Sequence, residues 1–228
     1  MRTHFNRELE LIRDTIKLMG TQVNQATARA VAALINRDFQ EAREVKRSDR
    51  SIDQLRYEVE NACVMQMATQ QPVARDLREL AASALVAVEL ERCGDYAKGI
   101  AKAARRITRT NAEINTYNLS QMDVLARDML DRSVNAFVNG DSATAWKVID
   151  DDNRLDKMYN ELLTQVTADM TSDALHIEGG TWLLHAGHCV ERLADRATNI
   201  AERVIFVETG NFTGDMNVHP ANEARKLT

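Results

Sequence analysis

AVAALINRD, residues 30–38, returns as SVNAFVNGD, residues 133–141, with Val31 over Val134, Ala33 over Ala136, Asn36 over Asn139 and Asp38 over Asp141. The shared offset of 103 also takes Asp49 to Asp152 and Asp53 to Asp156. Each copy closes an apolar pattern of three- and four-residue steps and then runs through Asn into Asp, the order of a helix end followed by a new helix start. The chain therefore reads as a duplicated helical unit.

Upstream of the first copy, Phe5, Leu9, Ile12, Ile16, Met19, Val23, Ala26, Ala30 and Ala33 keep one seam for about nine turns, which predicts one long amphipathic helix. Downstream, Phe39, Ala42, Val45, Ile52, Leu55, Val59 and Ala62 predict a second helix ending near Gln70, where Pro72 suits the first turn of a third. The third carries Leu77, Leu80, Ala81, Ala84 and Val88 towards Arg109. After a polar connector the plan restarts, with Ser120 and Asp123 at capping-box spacing. A fourth helix is marked by Met122, Leu125, Met129 and Ala136, a fifth by Trp146, Ile149, Tyr159, Leu163 and Val166. A sixth is expected from about Trp182, after Gly179 and Gly180, to Thr209, with Gly210 as its cap. The expected fold is all-α: two tandem homologous three-helix bundles, residues 1–110 and 118–210, followed by a polar, aperiodic tail, 211–228.

Composition supports long helices, because nine glycines and two prolines leave little room for the turns of a β fold. The net charge of −5 has both signs interspersed, which argues against nucleic acid as a partner. Lys98, Lys102, Arg105, Arg106 and Arg109 are a local exception, read either as cations favoured near a helix C-terminus or as a surface for anions. Cys63, Cys93 and Cys189 lack Cys-x-x-Cys spacing and predict neither a disulfide framework nor a cysteine zinc site, in keeping with a reducing cytoplasm. No apolar run is long enough to span a bilayer, and MRTHFNRELE has no apolar signal segment.

Acids interrupt the apolar pattern twice in the same way. ERCGDYAKGIA, residues 91–101, and ERLADRATNIA, residues 191–201, place Glu91 with Asp95 and Glu191 with Asp195 at i, i+4 on one helix face. Asp49 with Asp53 and Asp152 with Asp156 share that spacing. Counting from the helix turns near Gln70 and Ala174 sets these pairs at matching heights on antiparallel neighbours, so four carboxylates meet in each half. Like charges so grouped need protonation, pairing with Arg or Lys, or a hard cation bound through oxygen. Arg92, Arg192, Lys98 and Lys102 are near enough for the second answer. His188, His185 and Glu202 are weaker candidates beside the second group, since a lone His in an apolar helix is more often packed and hydrogen-bonded.

These motifs resemble the duplicated Glu-Arg-x-Gly-Asp-x-Ala-x-x-Ile-Ala signature of the PhoU family of phosphate-signalling regulators, and Gln71 to Arg78 (QPVARDLR) and the Val-x-Thr-Gly ending at Gly210 are similar to that family too. The resemblance implies a cytoplasmic homodimer without enzymatic turnover. It would be an adaptor between the ATPase subunit of a phosphate ABC transporter and a phosphate-sensing histidine kinase, a negative regulator when phosphate is plentiful, meeting the membrane only through partners. It also implies iron or zinc, or another divalent metal, on Asp49, Asp53, Glu91 and Asp95 and on Asp152, Asp156, Glu191 and Asp195. Ala194 departs from the family Gly, and Tyr96 and Arg196 stand where His often follows the Asp; Arg196 offers the second group an internal counter-charge. Two other readings stand beside this one: a metal-binding helical bundle of other function, and a purely structural helical adaptor. A ferritin-like di-metal enzyme lacks its Glu-x-x-His motifs here, and no Gly-rich phosphate loop or nucleophile elbow occurs.

Overall fold

The computed structural model describes residues 2–48, 50–110 and 113–211, and among these every regular element is helical. The first repeat contains α1 (Arg2–Ile35), α2 (Phe39–Ser48), α3 (Arg50–Gln70) and α4 (Ala74–Ile107). The second contains α5 (Leu119–Asn139), α6 (Ser142–Ser172), a 3₁₀ turn (Ala174–His176) and α7 (Ile177–Thr209). The expected second helix is present as α2 and α3, on either side of Asp49, which lies outside the described residues together with most of the expected tail.

The repeated turn is built alike in both halves. Arg37 and its counterpart Gly140 both adopt the left-handed conformation, at φ 52° and 67°, which ends α1 and α5. The following aspartates then cap the next helix: Asp38 Oδ1 accepts from the backbone N–H of Gln40 and Glu41 at 2.9 Å each, and Asp141 Oδ1 from Thr144 at 3.0 Å.

Three local expectations are corrected. Ser120 does not cap α5, which starts one residue earlier. Asp123 is instead buried inside that helix and chelates the Arg127 Nε–H with both oxygens at 3.0 Å. Pro72 does not open α4. Gln71 reverses the chain at φ 47°, Val73 is extended, and the helix starts at Ala74. Gly179 and Gly180 do not precede α7 but lie in its first turn. There a Cβ on Gly179 would sit 2.2 Å from Ile114 Cδ1, and one on Gly180 2.7 Å from Met170 Cγ. Those glycines mark close packing rather than a helix stop.

α4 and α7 pack along each other as the central pair, α1 lies against α4 and α5, and α6 covers α7. One continuous apolar core runs through both bundles, from Ile16 and Met19 through Leu90 and Ile100 to Leu193 and Ile200, all fully buried. Asn24 Nδ2 donates to the carbonyl of Arg127, its own equivalent at the repeat offset, at 3.2 Å. A residue meets its own copy only near an axis of two-fold symmetry, which therefore passes between α1 and α5. All three cysteines are free and buried. Among the described residues no helix is long and apolar enough to cross a membrane.

Candidate functional site

The buried face of α4 is Leu80, Ser83, Val86, Ala87, Leu90, Cys93 and Ala97; Leu80 belongs to the stripe read from the sequence, but beyond it the face shifts by one position, from Ala84 to Ser83 and from Val88 to Ala87, and Leu77 is exposed. Glu91 and Asp95 flank the core instead of occupying it, so Glu91 is half-buried and Asp95 is exposed. An alanine-rich helix leaves two adjacent stripes equally apolar, and only the position of the partner helix chooses between them.

In the first repeat, Asp53 from α3 lies near enough to Glu91 on α4 to act on its charge. Burial pushes the Glu91 carboxyl above its ordinary value, with Asp95 and Asp53 adding repulsion and Arg56 and Lys98 opposing it. Lys98 Nζ sits 2.6 Å from Asp95 Oδ1, and Arg56 pairs with Glu60 at 3.2 Å. The first group is thus partly neutralised by its own cations.

The second group is more complete. Asp152 and Asp156 on α6 face Glu191 and Asp195 on α7. Burial first, then Asp195, Asp156 and Asp152, push Glu191 up to about 7 against the opposing pull of Arg192. Asp152 is raised by burial, Asp156 and Asp195. Asp152 Oδ1 and Glu191 Oε2 are both buried without a hydrogen-bond partner. His188 Nδ1 lies 3.2 Å from Glu191 Oε2 without hydrogen-bond alignment, while its ring tilts against Tyr159. His185 points elsewhere: it meets Trp182 edge-on at 5.8 Å and lies 3.9 Å from Cys189 Sγ, and burial, Lys102 and His188 hold its imidazole below the ordinary value.

The expected counter-charge from Arg196 is redirected. Its Nη1 donates to Glu89 Oε2 across the bundle interface at 3.1 Å, and its contact with Asp195 is longer, at 3.9 Å. Arg192 takes the role instead, 2.7 Å from Asp195 Oδ2 and hydrogen-bonded to the Tyr96 side chain. Two of the three departures from the family pattern, Tyr96 and Arg196, therefore serve the seam between α4 and α7. Glu89, which sequence reasoning passed over, is the node of that seam, receiving Arg196, Asn199 Nδ2 at 3.3 Å and Arg92 at 3.5 Å. Only the helix pairing could reveal it, because Glu89 belongs to no repeated motif.

Oxygen donors of this kind suit hard or borderline divalent cations. Among the described residues no three His, Cys, Asp or Glu side chains converge closely enough to hold a metal ion as they stand. The ion pairs of Asp95 with Lys98 and Asp195 with Arg192 direct those carboxylates towards cationic side chains. The acceptors Asp152 Oδ1 and Glu191 Oε2, neither of them hydrogen-bonded although His188 Nδ1 lies 3.2 Å from the second, nevertheless fit a cation, since a buried acceptor is costly until something positive or protonated meets it.

The PhoU domain model matches the chain twice, over residues 16–104 and 119–204. A phosphate-specific transport system accessory protein PhoU homolog from Burkholderia sp is 30% identical over 211 residues, covering 91% of this chain and 90% of that protein. The phosphate-specific transport system accessory protein PhoU of Escherichia coli (strain K12) is 29% identical, with 90% and 86% covered. The crystal structure of PhoU from Pseudomonas aeruginosa superposes with a TM-score of 0.87 at 30% identity, covering 91% of this chain and all of that one.

Proposed function

The chain belongs to the PhoU family, and from that membership we propose that it regulates phosphate uptake and phosphate-starvation signalling as an accessory protein without turnover. The observation carrying this reading is a likeness that runs through both copies of the repeat and nearly the whole chain, not through one motif. In the finer reading it joins the ATPase subunit of a phosphate ABC transporter to a sensor histidine kinase in the cytoplasm. It favours the kinase's signalling-off state when phosphate is plentiful, by binding that state more tightly. Tyr57, Val64 and Met65 leave large apolar area exposed along α3, which suits a helical docking face. The family resemblance extends to a homodimer, for which sedimentation at micromolar concentration is the test.

Deleting the gene in its own host should switch on phosphate-starvation genes in phosphate-rich medium. Unchanged expression would overturn the regulatory reading. Co-purification of the ATPase subunit and of the kinase with the full chain tests the adaptor role separately.

For the acids, the proposal is a divalent cation, iron, zinc or manganese, on Asp152, Asp156, Glu191 and Asp195, with a second on Asp53, Glu91, Asp95 and Asp49. Such an ion would supply the positive charge that lets four neighbouring carboxylates ionise together. The chain's part is to hold the carboxylates at one height from two helices and to shield Asp152 and Glu191 from water. Protein purified without chelator should gain several degrees of thermal stability with added metal. Asp152→Asn should lose that gain, and a wild type indifferent to all three metals would sink the proposal.

A further inference from the structure

Although the chain is acidic overall, at −5, its cations converge at one end of the first bundle. A cleft of about 580 Å³ is lined by Arg43, Lys46 and Arg47 of α2, Arg50 of α3 and Arg105 of α4. It continues into a second hollow of about 180 Å³ that shares Lys46 and Arg105 and adds Lys102, Arg106 and Arg109. Among the described residues no acidic or apolar one lines either hollow. Of the cations lining the two hollows, Arg47 is the one with a carboxylate partner among the described residues, Glu44 at 2.8 Å.

Helix electrostatics account for part of this clustering. Cations near the C-terminal ends of α2 and α4 complement the helix dipole. Arg50 does not, because it is the first residue of α3, where the dipole disfavours a cation. Nor does the dipole explain why the ends of two helices turn their cations into one hollow, where like charges repel.

Aromatic rings fix several of the charged heads. The guanidinium carbons of Arg105 and Arg109 lie 5.1 and 5.3 Å from the Phe39 ring centroid, and Lys102 and Arg106 each approach Trp182 at 5.5 Å. The Arg105 Nε–H is buried without an acceptor. The arrangement is a set of cationic donors, four of them held against aromatic rings and all but Arg47 without a carboxylate partner among the described residues, with the Arg105 acceptor missing.

We propose that this cleft binds a compact anion carrying several linked phosphates. Guanidinium forks match phosphate oxygens two at a time, which explains arginine in place of lysine at most positions. The volume is in the range of ligand pockets and exceeds what one phosphate needs. Walls without apolar side chains select for charge over a hydrophobic body. The chemistry is that of tripolyphosphate, whether free or as the tail of a nucleoside triphosphate.

Isothermal titration of the full chain with tripolyphosphate, ATP and inorganic phosphate tests the proposal. Tripolyphosphate should bind saturably, more tightly than phosphate, and progressively more weakly between about 0.05 and 0.2 M salt. Arg43→Gln and Arg50→Gln, both exposed and so expected to fold normally, should each weaken it at least about tenfold, with Lys17→Gln on α1 as an unaffected control. Equal binding of ATP assigns the tail of a nucleotide, and weaker binding of ATP assigns a free oligophosphate, both in support. Absence of tripolyphosphate binding by folded protein, ATP binding without it, or affinity unchanged in both arginine variants would overturn the site.

Discussion

Single residues set the pH behaviour of the acidic groups. Glu191 stays protonated in the folded chain up to about 7, whereas an unfolded glutamate ionises near ~4.3. Its contribution to stability is therefore fully present below about 4.3 and is lost as pH rises through about 7. Glu191→Gln removes that loss. In metal-free buffer it should be about 1–2 kcal/mol more stable than the wild type at about pH 8, a figure discounted for partial exposure, and equal to it at about pH 4. Urea unfolding at the two pH values checks this, and equal stability at both would refute a strained Glu191. Gly140 makes a second case at this scale. Its positive φ and the 2.6 Å separation between a built Cβ and Glu208 Oε1 predict that Gly140→Ala costs about 1–2 kcal/mol. Part of that cost would come from disturbing the ion pair of Glu208 with Arg75, now 2.6 Å.

Pairs of elements decide which charges matter. Glu89 and Arg196 are mostly buried between α4 and α7, at 16% and 14% side-chain exposure. Removing one partner of such a pair leaves the other desolvated and uncompensated. Arg196→Ala is expected to cost about 2–3 kcal/mol, and a double-mutant cycle with Glu89→Gln should show favourable coupling above about 0.5 kcal/mol. Coupling near zero would mean that Arg196 serves Asp195 after all. Glu79 forms a comparable contact at the other end, buried on α4 and held by Arg13 of α1 at 2.5 Å. Both pairs tie α4 to a neighbouring helix, while the surface lattice of Arg47 with Glu44 or Arg132 with Asp128 stays within one helix and contributes little.

Across the whole molecule the duplicated bundles share one core, so they are expected to unfold as one unit. The face that α4 offers to α7 is apolar and buried only when both halves are present. Guanidinium denaturation of the full chain should give a single transition at which far-ultraviolet and tryptophan signals coincide. Residues 1–110 expressed alone should be insoluble or molten, and a well-folded isolated half would overturn the shared-core account.

Much of this architecture was legible in the sequence. The all-helical plan, the duplication and the helix ends at Asn36 and Asn139 follow from short-range pattern, because backbone hydrogen bonding, capping and apolar period are local properties. The pairing of Asp152 and Asp156 with Glu191 and Asp195 was also legible, since antiparallel helices joined by a short turn can be counted to a common height. Tertiary structure alone decided the rest: which apolar stripe of α4 is buried, that Arg196 serves Glu89 instead of Asp195, and that Arg43 and Arg50 meet Arg105 in one cleft. Those outcomes depend on the rotation of each helix about its own axis and on which helix lies beside it. Both are fixed by packing between residues a hundred positions apart, which local sequence pattern does not specify.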